Sequence, residues 1–234
     1  FNHMAFSLKE KIESEKQLLV EQRKNEEYEK LLSQARFLAL QSQINPHFLF
    51  NTLNSINRTV MLGRREQALT MLDSLSVLLR YNLADAQMPA LLGEELGITE
   101  EYLKIQKMRF SSRLNVDVRH DRKLEQAVTL PRFTLQPLVE NAVIHGLEPK
   151  EEGGTLILDV RKTGNYIRIR ICDNGMGIEK ERLERIRRRL SEKQPERIGV
   201  WNIWQRLSLY TGRDDSLKIM SKKGAGTIVS IYLH

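Results

Sequence analysis

The chain has 234 residues, which is enough for one or two domains. Its 41% hydrophobic residues can form a real core and its 29% charged residues are ordinary, while a single cysteine excludes an internal disulfide and no apolar run reaches the roughly 18 residues of a membrane span. The net charge of +7 favours an acidic partner such as a nucleotide or a membrane surface, but aromatic residues do not alternate with the basic ones, so we expect no nucleic-acid partner.

The first predicted element is a long helix over residues 6–44. This segment lacks glycine and proline and is rich in glutamate, lysine, glutamine and leucine. Leu8, Ile12 and Leu19 follow a heptad spacing, which polar residues then interrupt. The pattern fits either a signal-transmitting rod or merely an imperfect coiled coil.

Two further helices are predicted before residue 110. In the segment 66–83, leucines recur on one face at helical spacing. After a break that contains Pro89 and Gly93, the segment 94–110 is again helical. The leucines of the first of these helices are Leu72, Leu75, Leu79 and Leu83.

Strands and helices mix after residue 110. "LNVDVRH" (114–120) alternates apolar and polar residues, as a half-buried strand does. The stretch 154–173 predicts two strands that meet at a tight turn. Helices are predicted over 132–146, 179–193 and 199–210, and strands over 216–221 and 226–233. We therefore predict an α+β fold, with a helical first part and then a mixed sheet covered on one face by helices.

Four segments of the second part carry candidate chemistry. Glycines let the backbone approach phosphates, and a helix N-terminus presents free N–H groups to them. An aspartate at a strand end can accept a hydrogen bond from an adenine amino group, and an asparagine oxygen is a suitable ligand for Mg²⁺. Each segment alone is weak, but together they favour a nucleotide site. The segments are "ENAVIHG" (140–146), "DNGMG" (173–177), "IGVWN" (198–202) and "GAGT" (224–227).

The sequence resembles a known family at these segments. "LVENAVIHG", "DNGMGI", "GVWNIWQRL" and "GAGTIVSIYL" resemble the N, G1, G2 and GT boxes of the GHKL (Bergerat) ATP-binding fold. "LQSQINPHFLFNTLNSI" resembles the phosphoacceptor segment of LytS/YesM-type sensor histidine kinases, and the resemblance covers about residues 38–233. It implies an autophosphorylating kinase of a two-component system. Such a kinase uses ATP and Mg²⁺, phosphorylates His47 and passes the phosphoryl group to an aspartate of a response regulator.

The resemblance assigns roles to individual residues. It implies that His47 is the phosphoacceptor, that Asn51 orients water for dephosphorylation, and that Glu140 polarises a water or the nucleophile. It implies that Asn141 binds Mg²⁺ and that Asp173 reads adenine. The other nucleotide-contacting residues that it implies are His145, Gly175, Gly177, Gly199, Asn202, Gly226 and Thr227. For His145, a capping role at the helix end is an equal alternative.

The resemblance also implies an organisation. Residues 1–40 would form a signalling helix, whose start "FNHMAF" partly resembles a cloning remnant. Residues 41–92 would carry the dimerisation and phosphotransfer helices, which form a four-helix bundle in a homodimer, and residues 93–234 the ATP-binding domain. The full-length protein would be anchored in a bacterial membrane through an N-terminal sensor absent here, with this chain as its cytoplasmic portion.

The proline beside His47 is explained by a helix start. Proline is costly inside a helix but favoured as its first residue. Asn45 can serve as the N-cap of a helix that begins at Pro46. His47 would then lie near the positive end of the helix dipole, which favours a neutral, nucleophilic imidazole. The alternative for His47 is a packed histidine on an amphipathic helix.

Three positions depart from the family pattern. Phe48 stands where many histidine kinases have an acid, which leaves the general base open, and Arg197 and Ile144 replace a glycine and a phosphate-contacting lysine. The basic run Arg185–Leu190 is either a solvated face or an ATP lid. Two other functions therefore stay open. One is a dimeric scaffold with weak or absent ATP binding, and the other is a GHKL kinase that acts on a serine of a separate protein.

Overall fold

The computed structural model describes residues 15–20, 22–23, 46–82, 88–193 and 199–233. Contacts divide the chain into two units, Phe1–Leu49 and Phe50–His234. In the first unit, residues 15–20 and 22–23 are helical, and most of the predicted heptad pattern lies outside the described residues. The predicted domains 1–40, 41–92 and 93–234 stay predictions. No helix in the described ranges is both long and apolar enough to cross a membrane.

Helices dominate the first part of the described chain and strands the second. The helices are α1 (Pro46–Met61), α2 (Arg65–Asn82), α3 (Leu92–Phe110), α4 (Arg122–Ala127), α5 (Leu135–Asn141), α6 (Lys180–Ser191) and α7 (Gly199–Thr211). A 3-10 turn follows α3 at Ser111–Arg113, and a π-helical turn continues α5 at Ala142–Leu147. The strands are β1 (Pro89–Leu91), β2 (Leu114–His120), β3 (Thr129–Pro131), β4 (Gly154–Thr163), β5 (Tyr166–Asp173), β6 (Leu217–Lys222) and β7 (Gly226–Leu233).

The main sheet has five strands in the order β2-β4-β5-β7-β6. β2 and β4 run parallel, and the other neighbours are antiparallel. The sheet is therefore mixed, which confirms the predicted α+β class. β1 and β3 form a separate two-stranded antiparallel sheet.

The core lies between this sheet and the helices. Alternate residues of the central strands point to the helices and are buried, because successive strand side chains face opposite sides. Tyr102 of α3 is also fully buried. The buried residues of the central strands and of α5 include Leu156, Leu158, Ile169, Ile171, Leu135, Leu138 and Val139.

Three short elements were not predicted, and one helix differs from its prediction. β1, β3 and α4 are too short to show a period in the sequence, and β1 and β3 pair across a long stretch of chain. The helix predicted over 132–146 begins only at Leu135 and changes to π geometry after Asn141. The other predicted helices and strands from residue 66 onward are confirmed within one or two residues of their ends.

Candidate nucleotide-binding site

A cavity of about 450 Å³ lies within the second unit; we call it the central cavity. It is bounded by α5 with its π turn, by α6, by the first turn of α7 and by strands β5, β6 and β7. Its volume is in the range of small-molecule sites, which are mostly apolar with a few polar groups. Six residues predicted from sequence line it, namely Asn141, His145, Asp173, Gly177, Gly199 and Thr227.

Asp173 is the acidic group of the central cavity. It ends strand β5 and is buried, with 8% of its surface exposed. Its Oδ1 accepts a hydrogen bond of 2.9 Å from the Gly175 amide. Burial raises the pKa of Asp173, although hydrogen bonds from the backbone of Gly175 and Thr227 oppose that rise. A carboxylate has about four acceptor sites, so Asp173 can still accept a hydrogen bond from a ligand.

Two predicted glycines, Gly175 and Gly226, do not line the central cavity, but each lies against a residue that does. A β-carbon on Gly175 would stand 2.1 Å from the Gly146 carbonyl oxygen, and one on Gly226 would stand 1.9 Å from the Asp173 carbonyl oxygen. Gly226 also has φ +105°, a conformation that L side chains rarely adopt. Both positions therefore require glycine because another chain segment passes against them.

The π turn after α5 brings three residues, Ala142, His145 and Gly146, to the central cavity. Asn141 is the last residue of α5 and is half-buried, and the π turn begins at the next residue. Such turns shift the side-chain positions that follow, and they often occur at functional sites. His145 and Gly146 of the turn line the central cavity, whereas Ile144 does not.

Glu140 is the neighbour of Asn141 but is not among the lining residues. Its Oε1 accepts a hydrogen bond of 2.9 Å from Gln136 Nε2. Burial raises the pKa of the Glu140 carboxyl, and the hydrogen bond from Gln136 opposes this. Glu140 therefore has the environment of a carboxyl that gains a proton readily.

Helix α6 contributes a residue that was not predicted. Arg182 and Ile186, one helical turn apart, both line the central cavity. Arg187, from the basic run Arg185–Leu190, does not line the central cavity, and its Nη2 donates a hydrogen bond of 2.6 Å to the Ile219 carbonyl oxygen. No local pattern distinguishes Arg182 from the other arginines of this charged helix, so its place at the cavity depends on tertiary packing.

Helix α7 begins at the central cavity. Gly199 and Val200 line it, while Asn202 is exposed and does not. Trp201 and Trp204 of α7 are 7% and 4% exposed and belong to the core. Position 197, where the sequence departs from the glycine pattern, lies outside the described residues.

The walls and polar groups of the central cavity suit a purine nucleotide. Its lining includes a hydrogen-bond acceptor, Asp173, and a cation, Arg182. Within the described residues, no group of three or more His, Cys, Asp or Glu side chains could hold a metal ion. A magnesium ion here would therefore use the Asn141 oxygen together with oxygens of the bound nucleotide and water. The apolar wall consists of Leu138, Ile171, Ile178, Ile186, Val200, Ile219 and Val229.

Helix α1 carries the predicted phosphoacceptor. His47 is exposed in the first turn of α1, which the structure describes from Pro46. Phe48 is buried, and Asn51 is half-buried four residues after His47. The predicted N-cap, Asn45, lies outside the described residues. The role of His47 as phosphoacceptor stays a prediction.

Comparisons with known families match both parts of the chain. The model of the family described as "Histidine kinase" matches residues 35–114. The model described as "Histidine kinase-, DNA gyrase B-, and HSP90-like ATPase" matches residues 127–234. Each predicted site residue lies in one of these two ranges.

Individual relatives agree with these matches. The chain is 35% identical to sensor histidine kinase YesM of Bacillus subtilis and 36% identical to sensor protein LytS of Oceanobacillus iheyensis, over 89% of its own length in each case. It spans only 35% and 36% of those two proteins. It is also 38% identical to YwpD of Bacillus subtilis, with 83% of this chain and 68% of YwpD aligned.

Proposed function

We propose, from the premise that this chain belongs to the histidine kinase family, that it binds ATP in the central cavity and phosphorylates its own His47. One observation carries the proposal. The central cavity unites Asn141, Asp173, Gly199 and Thr227, which come from four separate segments of the sequence. Four segments that are separate in the sequence would not be expected to line one cavity by chance.

The central cavity supports adenine recognition. The buried Asp173 carboxylate can accept a hydrogen bond from the adenine amino group, and the apolar walls can enclose the ring. Guanine has a carbonyl oxygen where adenine has the amino group, so it would face the same carboxylate with an acceptor. The site should therefore prefer ATP to GTP.

Positive groups that line the central cavity support phosphate binding. Helix α7 presents its N-terminal N–H groups near Gly199, and Arg182 adds a full charge. Phosphoryl transfer depends mainly on positioning and on neutralisation of charge, which these groups can supply. Mg²⁺, held by Asn141 and phosphate oxygens, would supply further charge neutralisation when bound.

The acceptor role of His47 is supported by its exposure and its place in α1. The His47 imidazole is exposed at the start of α1, so a nucleotide could reach it. We further propose that the phosphoryl group passes from His47 to an aspartate on the receiver domain of a response regulator. Asn51, on the same helix, would assist the reverse process by orienting water.

Exposed apolar side chains support a homodimer. Phe50 is 67% exposed and Leu69 is 50% exposed, although both are large and apolar. Helices with such faces commonly pair with a second copy as a four-helix bundle. The whole protein would be a membrane-anchored sensor, of which this chain is the cytoplasmic kinase portion.

The test is to incubate the pure chain with γ-labelled ATP and Mg²⁺. The wild type should acquire label that is labile in acid and stable in base, and His47→Ala should acquire none while its ATP affinity is unchanged. His120→Gln is the matched control, because His120 Nε2 contacts Glu125 Oε1 at 2.7 Å outside the site. ATP binding without label would favour the scaffold function, and acid-stable label on another protein would favour a serine kinase.

A further inference from the structure

A buried carboxylate from α3 caps the helix that carries Asn141. Glu95 is 1% exposed, and its two carboxylate oxygens accept hydrogen bonds from three successive amides, those of Phe133, Thr134 and Leu135. The three distances are 2.7, 2.9 and 2.9 Å. These amides belong to the start of α5, whose own N-cap residue provides no side-chain hydrogen bond. Glu95 therefore does from a distant element what an N-cap residue normally does.

The turn before α5, Arg132–Thr134, is strained and is held from two sides; we call it the α5 turn. Phe133 has φ +59°, an unfavourable value for a bulky residue. Such a conformation persists only where the surroundings enforce it. Glu95 binds the amides of the α5 turn, and the guanidinium of Arg206 donates to the carbonyl oxygens of Arg132 and Phe133, both at 2.7 Å.

Tyr81 connects this arrangement to helix α2. It lies in the last turn of α2, and its hydroxyl donates a hydrogen bond of 2.5 Å to Glu95 Oε1. Its ring meets the ring of Phe133 edge-on at 5.2 Å between centroids, and the Arg132 guanidinium lies 5.0 Å from its centroid. Burial and the Glu95 charge raise the pKa of Tyr81 well above its usual range, so the hydroxyl stays a donor.

The elements held at the α5 turn lead to the central cavity. α5 has only seven residues and ends at Asn141. α7, which carries Arg206, begins at Gly199. Both Asn141 and Gly199 line the central cavity. A shift of the last turn of α2 would move the Tyr81 hydroxyl. Because hydrogen bonds join this hydroxyl to the Glu95 carboxylate and the carboxylate to the α5 turn, both would move with it.

We propose that Tyr81 is a positioning residue that couples the last turn of α2 to the central cavity through Glu95 and the α5 turn. The inference rests on the proposed function, in which a nucleotide occupies the central cavity. Coupling between two sites is reciprocal, so a ligand in the central cavity must also affect the end of α2. A hydrogen bond with a purely structural role would change stability but would not transmit an effect of the nucleotide.

Hydrogen exchange followed by mass spectrometry tests the coupling. The full chain is compared with and without a non-hydrolysable ATP analogue and Mg²⁺, as wild type, as Tyr81→Phe and as Tyr210→Phe. Tyr210→Phe is the matched control, because it removes a hydroxyl that contacts Thr129 Oγ1 at 2.6 Å on the protein surface. Tyr81→Phe removes one oxygen and keeps the ring, so the fold should be retained.

In the wild type, the nucleotide should slow exchange at residues 78–82 by about fivefold, within the usual range of allosteric coupling. Tyr81→Phe should lose this effect while keeping nucleotide-dependent protection at residues 141–147. Tyr210→Phe should match the wild type. Retention of the effect at residues 78–82 in Tyr81→Phe would overturn the proposal, as would its absence from a wild type that binds the nucleotide.

The same experiment separates this inference from the proposed function. If the analogue protects no segment of the wild type, nucleotide binding fails, and exchange in the nucleotide-free proteins tests the first link of the coupling, the hold of Tyr81 on the α5 turn. Tyr81→Phe should then speed exchange at the amides of residues 133–135 by about threefold or more relative to Tyr210→Phe, the effect of one lost hydrogen bond. Equal rates in the two variants would overturn the coupling.

Discussion

The carboxylate of Asp173 packs directly against the α-carbon of Gly146. A β-carbon at position 146 would stand 2.8 Å from Asp173 Oδ1 and 3.1 Å from its Cγ. The Gly146 carbonyl oxygen also accepts a hydrogen bond of 2.9 Å from the Met176 amide. The π turn and the loop after β5 are therefore fitted to each other, and the position of Asp173 depends on the absence of a side chain at residue 146.

Gly146→Ala should weaken ATP binding by displacing the Asp173 carboxylate. We expect a loss of about tenfold, the effect of disturbing one hydrogen bond to a charged group. Calorimetric titration with ATP measures it. Gly97→Ala is the control, since a β-carbon at position 97 in α3 meets no atom within 4 Å and should leave the affinity unchanged. Equal ATP affinity in both variants would show that the carboxylate position does not matter.

Asp173→Ala should weaken ATP binding and abolish the preference for ATP over GTP. The reason is that a site built around one buried acceptor distinguishes adenine from guanine through that group. Without the carboxylate, the site has no group that favours adenine. Competition between ATP and GTP for the purified variant measures this preference. An unchanged ATP affinity and an unchanged preference would remove Asp173 from the adenine site.

Glu140→Gln should stabilise the protein at neutral pH. Burial raises the pKa of Glu140, so its charged carboxylate destabilises the native state at pH values above that pKa. This cost disappears as the pH falls through the native pKa toward the unfolded value of about 4.3. The melting temperature of the variant should therefore exceed that of the wild type at neutral pH, and the difference should shrink in acid.

The same substitution tests the catalytic role of Glu140. If its carboxylate polarises the nucleophile, self-labelling should fall by about 10²- to 10⁴-fold in a protein that melts higher. Glu152→Gln, at an exposed position, should change neither property. Normal labelling in Glu140→Gln would leave Glu140 with a structural role alone, and a lower melting temperature at neutral pH would contradict the cost of its burial.

Asn51→Ala should separate kinase from phosphatase activity. Asn51 lies one turn from His47 but is not the nucleophile, so self-labelling should persist near the wild-type rate. Loss of an orienting group should slow dephosphorylation of a phosphorylated response regulator by about 10²-fold. The decay of that regulator is followed with the wild type, with Asn51→Ala and with Asn54→Ala, whose exposed side chain on the same helix serves as control. Equal decay with all three proteins would exclude a phosphatase role.

Much of the fold was accessible from local sequence pattern. The alternation in Leu114–His120 and the leucine spacing in the segment 66–83 are repeated over enough residues to define a strand and a helix. The three-residue strands were not accessible, because Pro89–Leu91 has no period of its own and exists only through pairing with Thr129–Pro131. A π turn after Asn141 likewise leaves no periodic signal in six residues.

In the candidate site, too, some features follow from the sequence and others only from tertiary packing. By itself, the sequence determined which glycine and polar boxes the chain contains and in which order, since backbone freedom and hydrogen-bonding chemistry belong to individual residue types. Only the tertiary structure decided that Arg182 rather than Arg187 faces the central cavity, and that Glu95 caps α5 across about forty residues of chain. The physical reason is that such contacts depend on how distant elements pack, and a single local segment carries no record of its neighbours in space.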